Sequence, residues 1–149
     1  MKFDATVAIL TFNGEEFLEE LFDTLKSQKT KYSFEILVID SGSKDRTLEI
    51  TKNTKEARLI QIPNSEFGHG KTRNLAVNEA DSKYVAFLTQ DAVPSSPYWL
   101  DGLLEPFELF EKVSCVFGKQ IPRPACIAPV KREVESVFQS FGDDASISI

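Results

Sequence analysis

Three apolar segments of the sequence end in polar or aromatic residues that could bind a phosphorylated ligand. They end in Thr11, Phe12 and Asn13, in Asp40 and Ser41, and in Thr89, Gln90 and Asp91. Phe12 could stack on a nucleobase, and Asp40 could accept from a base N–H or hold the loop that does so. Asp91 could ligate Mg²⁺ or Mn²⁺, which prefer carboxylate and phosphate oxygens. The plain alternatives are a turn-forming aspartate and a core phenylalanine.

A glycine-rich stretch, FGHGKTRN, is a fourth candidate. Gly68 and Gly70 permit close backbone approach, and a helix start follows, which is a favourable place for phosphate. Lys71 and Arg73 add positive charge beside it. A surface loop with a solvated basic pair is the alternative, and His69, the only histidine, could be a ligand contact or a simple loop residue.

The elements that must position these residues alternate between strand and helix. Apolar runs predict strands over 7–12, 34–40, 58–62, 84–88 and 114–120. Four helices are predicted between these strands. The first starts at residue 15 and the second follows a cap at Ser43. The third spans 71–80 and the fourth spans 97–110, where Pro106 would kink or break the helix. This order predicts an α/β fold with a mostly parallel sheet covered on both faces. Because ligands bind beyond the carboxyl ends of parallel strands, the three segment ends should meet in one cleft.

Composition excludes several classes of protein. The net charge of −6 disfavours a nucleic-acid partner. No apolar run approaches the roughly 20 residues that span a bilayer. Asp4 and the lack of a small-residue cleavage site argue against a signal peptide, so we expect a cytoplasmic protein. No GxGxxG or other Gly-rich phosphate loop follows the first strand, which argues against a dinucleotide oxidoreductase or a nucleotidyltransferase.

Four strings taken together resemble the N-terminal half of family 2 glycosyltransferases, and the rhamnosyltransferase branch in particular. They are VAILTFNGEEFLEELFDTL, FEILVIDSGSKDRTLEI, FGHGKTRNLAVNEADSKYVAFLTQDAVP and WLDGLL. Each string alone is a weak signal, whereas their occurrence in order over roughly residues 7–124 is a strong one. The resemblance implies a GT-A fold, inversion at the anomeric carbon and a divalent cation, Mg²⁺ or Mn²⁺. It implies a nucleotide-sugar-binding domain over 1–124 and the start of an acceptor-side region over 125–149, partly disordered or misplaced by truncation.

The resemblance also implies the site residues. Asp91 takes the position of the last carboxylate of the family's metal motif. The residues expected around the donor are Thr11, Phe12, Asn13, Asp40, Ser41, Gly70, Arg73, Thr89 and Gln90. Two departures stand out, since Ser41 follows Asp40 where many relatives have a second acid, and Gln90 stands where another acid is common. We interpret both as a preference for dTDP-rhamnose over a UDP-sugar. With one carboxylate the metal should bind weakly until the diphosphate completes its shell.

The catalytic base stays unassigned, because Asp143 and Asp144 lie in a tail that we expect to be frayed. The chain is shorter than its relatives, so we expect a truncated enzyme with the base beyond Ile149. The sequence therefore predicts an inverting glycosyltransferase that transfers a sugar to a saccharide or lipid-linked acceptor in surface polysaccharide synthesis. Rhamnose is the sugar that the resemblance favours. The alternative is a non-catalytic nucleotide-sugar-binding or interaction module. The full-length enzyme could associate peripherally with the inner face of the membrane, and an apolar stripe near the C-terminus could form a homodimer.

Overall fold

A computed structural model of the protein describes residues 1–123 and 126–139. Its elements follow the predicted alternation. The strands are β1 (Phe3–Thr11), β2 (Phe34–Asp40), β3 (Ala57–Gln61) and β4 (Ser82–Thr89). The helices are α1 (Glu15–Lys26), α2 (Thr47–Asn53), α3 (His69–Glu79), α4 (Trp99–Leu109) and α5 (Ala128–Gln139), with a short 3₁₀ turn at Asn64–Glu66.

The four strands form one parallel sheet in the order β3-β2-β1-β4. Side chains of successive strand residues point to opposite faces, and each face has its own apolar cluster. The larger cluster joins alternate residues of β1 and β2 to α1, α2 and α4, and it includes the buried side chains of Phe22 and Leu100. The smaller cluster lies under α3 and includes Leu37, Ile39 and Ala76. The prediction of a parallel sheet covered on both faces is confirmed.

Helix α1 is amphipathic as expected. It buries Leu18, Leu21, Phe22 and Leu25 and carries Glu15 and Glu16 in its first turn, where negative charge is favourable. The side chain of Gln28 then joins the end of α1 to the start of α4. Its amide nitrogen donates to the carbonyl of Ser96 at 3.0 Å, and its oxygen accepts from the backbone of Leu100 at 3.3 Å.

Three predictions about local structure were wrong. Helix α3 begins at His69, so Gly70 lies in its first turn. Ser43 does not cap α2, whose preceding residue is Arg46; the carboxylate of Asp45 accepts from the backbone of Thr47 instead, at 3.0 Å. Residues 114–120 form no strand, and Phe117 is 65% exposed. Apolar content alone does not make a strand, because a strand also needs a neighbouring strand for its backbone groups. The sheet formed by the described residues consists of β1 to β4.

The chain divides into two compact units, and the boundary lies between Leu104 and Glu105. Helix α4 continues through Pro106 to Leu109, although proline cannot donate the usual helical hydrogen bond. The second unit contains α5, which exposes Val130 and Val137. The domain boundary that we placed after residue 124 stays a prediction, and the tail with Asp143 and Asp144 lies outside the described residues.

Candidate functional site: a cleft between β1 and β4

The sheet contains one topological switch point. From β1 the chain moves to β2 and then β3 on one side, and afterwards crosses to β4 on the other side of β1. The crossover helices on the two sides of this point cover opposite faces of the sheet and leave a crevice at the carboxyl ends of β1 and β4. A cleft of about 180 Å³ lies there. Its lining residues are Leu10, Thr11, Phe12, Ser41, Phe67, His69, Arg73, Phe87, Leu88, Thr89 and Gln90.

Asp40 lies beside this cleft but is itself fully buried. It is paired with Thr11 in the register of β1 and β2, and its Oδ2 accepts from the Thr11 hydroxyl at 3.0 Å and from the Ser43 hydroxyl. Its Oδ1 accepts from the backbone N–H groups of Gly42 and Ser43 at 3.0 and 2.9 Å. Each carboxylate oxygen therefore already has two protein donors. Of the two roles open to Asp40, this geometry fits the one that holds the loop.

Phe12 follows the last residue of β1, lines the cleft and is 46% exposed. The side chain of Gln90 holds its backbone. The Phe12 N–H donates to Gln90 Oε1 at 2.9 Å, and Gln90 Nε2 donates to the Phe12 carbonyl at 3.2 Å. The candidate base-stacking ring and the candidate metal motif are thus joined by two hydrogen bonds.

The next residue, Asn13, has a positive φ of 49°, which asparagine adopts more readily than most residues. It is held by the loop after β2. Its N–H donates to the Ser43 hydroxyl at 2.8 Å, and its side-chain oxygen accepts from the backbone of Lys44 at 2.9 Å. Asn13 therefore joins two loops, and its side-chain oxygen is hydrogen-bonded to the protein backbone.

The same pairing of loops continues along the chain. The Gly14 N–H donates to the buried Thr47 hydroxyl at 2.8 Å, and the Glu15 N–H donates to Asp45 at 3.0 Å. In return, Glu15 accepts from the backbone of Arg46 at 2.8 Å. Burial raises the pKa of Asp45, but the hydrogen bonds from Thr47 and Glu15 outweigh it and hold that pKa below its usual value. We call these contacts between residues 13–15 and 43–47 the loop network.

Cationic and aromatic side chains form the α3 side of the cleft. The Arg73 guanidinium lies 5.9 Å from the centroid of the Phe87 ring and donates to the His69 carbonyl at 3.1 Å. The His69 ring contacts Phe67 edge-on, with centroids 5.1 Å apart. Arg73 is thus held by a cation–π contact and a backbone carbonyl while its charge faces the cleft.

Phe67 and Phe87 were not among the predicted site residues. Both are partly exposed and both line the cleft. A signal for Phe87 exists in the sequence, because Phe87 and Thr89 are two apart on one strand and so share a face. Phe67 has a weaker signal, as a large apolar residue inside a polar, glycine-containing loop.

The other predicted residues are distributed as follows. Ser41 and Thr89 line the cleft, and the backbone and hydroxyl of Ser41 both donate to the Thr11 carbonyl, at 3.0 and 3.1 Å. Gly70 is exposed in the first turn of α3 and does not line the cleft, and a Cβ built on it would meet no protein atom within 4 Å.

Asp91 is exposed, one residue after Gln90 and two after the end of β4. It lies at the same sheet edge as Thr11 and Asp40, since Leu10 pairs with Thr89 and Thr11 with Asp40. Within residues 1–123 and 126–139, no group of three or more His, Cys, Asp or Glu side chains could hold a metal by itself. One accessible carboxylate fits Mg²⁺ or Mn²⁺ only when phosphate oxygens and water complete the shell, as is usual for Mg²⁺.

The parallel sheet, its helices and a cleft at the switch point define a doubly wound α/β fold, and the comparison with solved structures identifies it as the GT-A fold of glycosyltransferases. The sequence profile of glycosyl transferase family 2 matches residues 6–137, so the chain belongs to this family.

Individual relatives agree with this assignment. The chain is 36% identical over 118 residues to the O-antigen chain rhamnosyltransferase RfbN of Salmonella typhimurium, a match that covers 78% of this chain and 37% of RfbN. The crystal structure of Staphylococcus aureus TarS in complex with UDP superposes with a TM-score of 0.63 at 27% identity, over 80% of this chain and 38% of that one. Glucosyl-3-phosphoglycerate synthase from Mycobacterium tuberculosis, in complex with Mn²⁺, UDP and glucosyl-3-phosphoglycerate, shares the fold (TM-score 0.61, 21% identity, 74% of this chain and 41% of that one).

The chain spans little more than a third of the length of RfbN and of the TarS structure. No helix in the described part of the chain combines the length and apolar character needed to cross a membrane.

Proposed function

We propose that this chain binds the nucleoside diphosphate of a sugar donor in the cleft between β1 and β4, as part of a glycosyltransferase. The observation that carries the proposal is the convergence of Phe12, Arg73 and Gln90 on one cleft at the switch point. Membership of glycosyl transferase family 2 supports it. An apolar crevice with three phenylalanine rings suits a flat base, and a cation beside it suits phosphate.

In this proposal different residues of the cleft contact different parts of the donor. Phe12, Phe67 and Phe87 contact the base, and Arg73 faces the diphosphate. Asp91 would hold Mg²⁺ or Mn²⁺ together with phosphate oxygens. The cation, when bound, supplies positive charge that offsets the charge on the departing diphosphate. The side chains of Asp40 and Asn13 keep the rim in shape and need not contact the donor.

The proposed reaction is a single displacement with inversion. The oxygen of an acceptor hydroxyl forms a bond to the anomeric carbon while the bond from that carbon to the diphosphate oxygen breaks. The hydroxyl proton passes to a base, which we assign to no residue of this chain.

The proposed donor is dTDP-rhamnose, and the proposed acceptor is a saccharide or lipid-linked saccharide of a surface polysaccharide. The similarity of this chain to RfbN, an O-antigen chain rhamnosyltransferase, supports this choice over a UDP-sugar. The proposal includes a cytoplasmic location. Peripheral membrane association and a homodimer stay predictions.

The test measures nucleotide binding to this chain. We expect dTDP with Mg²⁺ to give binding heat and a higher melting temperature, because a ligand of the folded state stabilises it by RT ln(1 + [L]/Kd). UDP and GDP are the comparison nucleotides, and EDTA replaces Mg²⁺ in a parallel series. The proposal fails if none of these nucleotides gives heat or a melting shift, with or without metal.

A non-catalytic nucleotide-sugar-binding module is the second candidate. One observation favours it, since none of the described residues that line the cleft carries a carboxylate. The two candidates differ in a transfer assay with dTDP-rhamnose and a saccharide acceptor, carried out on the longest natural form of the protein. Rhamnosylated product identified by mass spectrometry supports the enzyme, and binding without product supports the module.

A further inference from the structure

The side chain of Gln90 extends the hydrogen bonding between β1 and β4 beyond the last paired residues of the two strands. The backbone register of the two strands ends with the pair Leu10 and Thr89. Phe12 lies two residues further on, and its N–H and C=O groups are met by the side-chain amide of Gln90 instead of a backbone. A carboxamide has one acceptor and one donor group, as a peptide bond has. Gln90 therefore replaces a peptide unit of a neighbouring strand.

This contact requires a particular side chain at position 90. An ionised glutamate has only acceptors, so it could take the Phe12 N–H but would repel the Phe12 carbonyl. The contact also requires a glycine at position 14. A Cβ on Gly14 would lie 2.6 Å from Gln90 Oε1 and 2.9 Å from its Cδ, closer than atoms can pack.

The turn after Phe12 is held from its other side by the loop network. Asn13, with its positive φ, bonds to Ser43 and Lys44, and Gly14 bonds to Thr47. Gln90 provides the remaining anchor, on the side of the cleft. Without it, both backbone polar groups of Phe12 would lose the partners described here, and the ring would be free to leave the cleft.

We propose that Gln90 is a positioning residue. Its amide fixes the backbone of Phe12 and so holds the phenylalanine ring against the base of the nucleotide, and Gln90 is not a metal ligand. This inference rests on the proposed function, because it concerns the affinity of the same cleft for its nucleotide. It gives the glutamine at this position of the metal motif a role in base binding.

The first experiment needs no ligand. Amide hydrogen exchange measured by NMR should show that the Phe12 N–H is protected in the parent chain and that Gln90→Met, a substitution of similar shape, removes most of this protection. Gln28→Met is the matched control, since Gln28 also bridges two backbone groups but lies between α1 and α4. It should leave exchange at Phe12 unchanged. Equal exchange at Phe12 in the parent chain and Gln90→Met would overturn the proposal.

The second experiment is a double-mutant cycle with dTDP and Mg²⁺ as the probe. We expect Gln90→Met and Phe12→Ala each to raise the Kd about tenfold, and the double variant to resemble Phe12→Ala alone. Residues that act through one another give such non-additive effects. Gly14→Ala, which displaces the amide by a different route, should reproduce the Gln90→Met result, whereas Gln28→Met should bind as the parent does.

Two results would overturn the positioning role. If the effects of Gln90→Met and Phe12→Ala add, Gln90 contacts the ligand directly. If Gln90→Glu binds Mn²⁺ more tightly and dTDP at least as well, position 90 is a metal-ligand position. Failure of the parent chain to bind any nucleotide would count against the proposed function, while hydrogen exchange would still decide whether Gln90 positions Phe12.

Discussion

The hydroxyl of Thr11 donates to the buried carboxylate of Asp40 at 3.0 Å, across the last paired residues of β1 and β2. Ser43 and Gly42 supply the remaining donors to that carboxylate. The relationship explains how an aspartate can matter to a ligand cleft from which it is itself excluded. The hydrogen bonds of Asp40 therefore join the ends of two strands and the loop between β2 and α2.

Replacement of Asp40 distinguishes a structural role from direct contact with the ligand. Asp40→Ala should lower the free energy of unfolding by about 3 kcal/mol, because it leaves several buried donors without an acceptor. Asp40→Asn should cost less, since its oxygen can accept from the two backbone N–H groups and its amide can donate to the hydroxyl oxygens of Thr11 and Ser43. Urea denaturation measures both. An Asp40→Ala chain as stable as the parent but unable to bind dTDP would mean that the carboxylate contacts the nucleotide.

The position of Arg73 gives a second prediction. Its guanidinium lies over Phe87 and donates to the carbonyl of His69. Lysine keeps the charge but loses the planar group that makes both contacts. Arg73→Lys should therefore weaken dTDP binding about tenfold, roughly 1.4 kcal/mol, as measured by calorimetry. Lys52→Met removes an exposed cation at the end of α2 and should have little effect. Unchanged dTDP binding in Arg73→Lys would show that only the positive charge at position 73 matters, and that the contacts of its guanidinium do not.

The sequence contains the information for the sheet and for the residues at its edge. Buried β-branched runs predict all four strands, and parallel pairing brings the ends of β1, β2 and β4 together as expected. It predicts the loop network poorly, because contacts such as Asn13 to Ser43 join residues 30 apart through side chains. Local periodicity reports which residues are buried, whereas it contains nothing about which hydroxyl meets which backbone group.

The errors have a similar origin. An apolar run at 114–120 has the composition of a strand, but a strand forms only where a neighbour supplies its hydrogen bonds. Ser43 has the residue type of a helix cap, yet its hydroxyl is used by Asp40 and Asn13. Gln90 was expected at the donor by resemblance to a metal motif. In the structure its amide instead binds the backbone of Phe12, a contact that no residue pattern indicates.

Asp91 is expected to determine how nucleotide binding depends on metal. With a single carboxylate, the cation binds tightly only when phosphate oxygens share it, so Mn²⁺ should raise the affinity for dTDP in the parent chain. Asn at position 91 removes the charge, and Asp91→Asn should bind dTDP in Mn²⁺ no better than the parent does in EDTA. Glu16→Gln, an exposed change in the first turn of α1, should keep the full metal effect. Persistence of the metal effect in Asp91→Asn would place the cation elsewhere.

Away from the cleft, the α3 face of the sheet is closed by a charged network around Glu35. Its carboxylate accepts from the Thr6 hydroxyl at 2.9 Å and from two guanidinium nitrogens of Arg58 at 3.2 Å, and Arg58 also donates to the carbonyl of Glu79 at 2.6 Å. Burial raises the pKa of Glu35, but the hydrogen bonds from Arg58 and Thr6 outweigh it and hold that pKa below its usual value.

The lowered pKa gives this network a pH dependence with a definite sign. The unfolded chain takes up the Glu35 proton at a higher pH than the folded chain does, so the ionised carboxylate stabilises the fold above the unfolded pKa of about 4.3. This contribution is lost as the pH falls through the lower folded-state pKa. Glu35→Gln should therefore cost about 1–3 kcal/mol of unfolding free energy at pH 7, because the amide lacks the negative charge and one of the two oxygens that accept from Arg58. The difference from the parent should shrink below pH 4, as measured by urea denaturation at each pH. A difference that stays constant from pH 7 to pH 3 would show that the ionisation of Glu35 contributes nothing, and that only its shape matters.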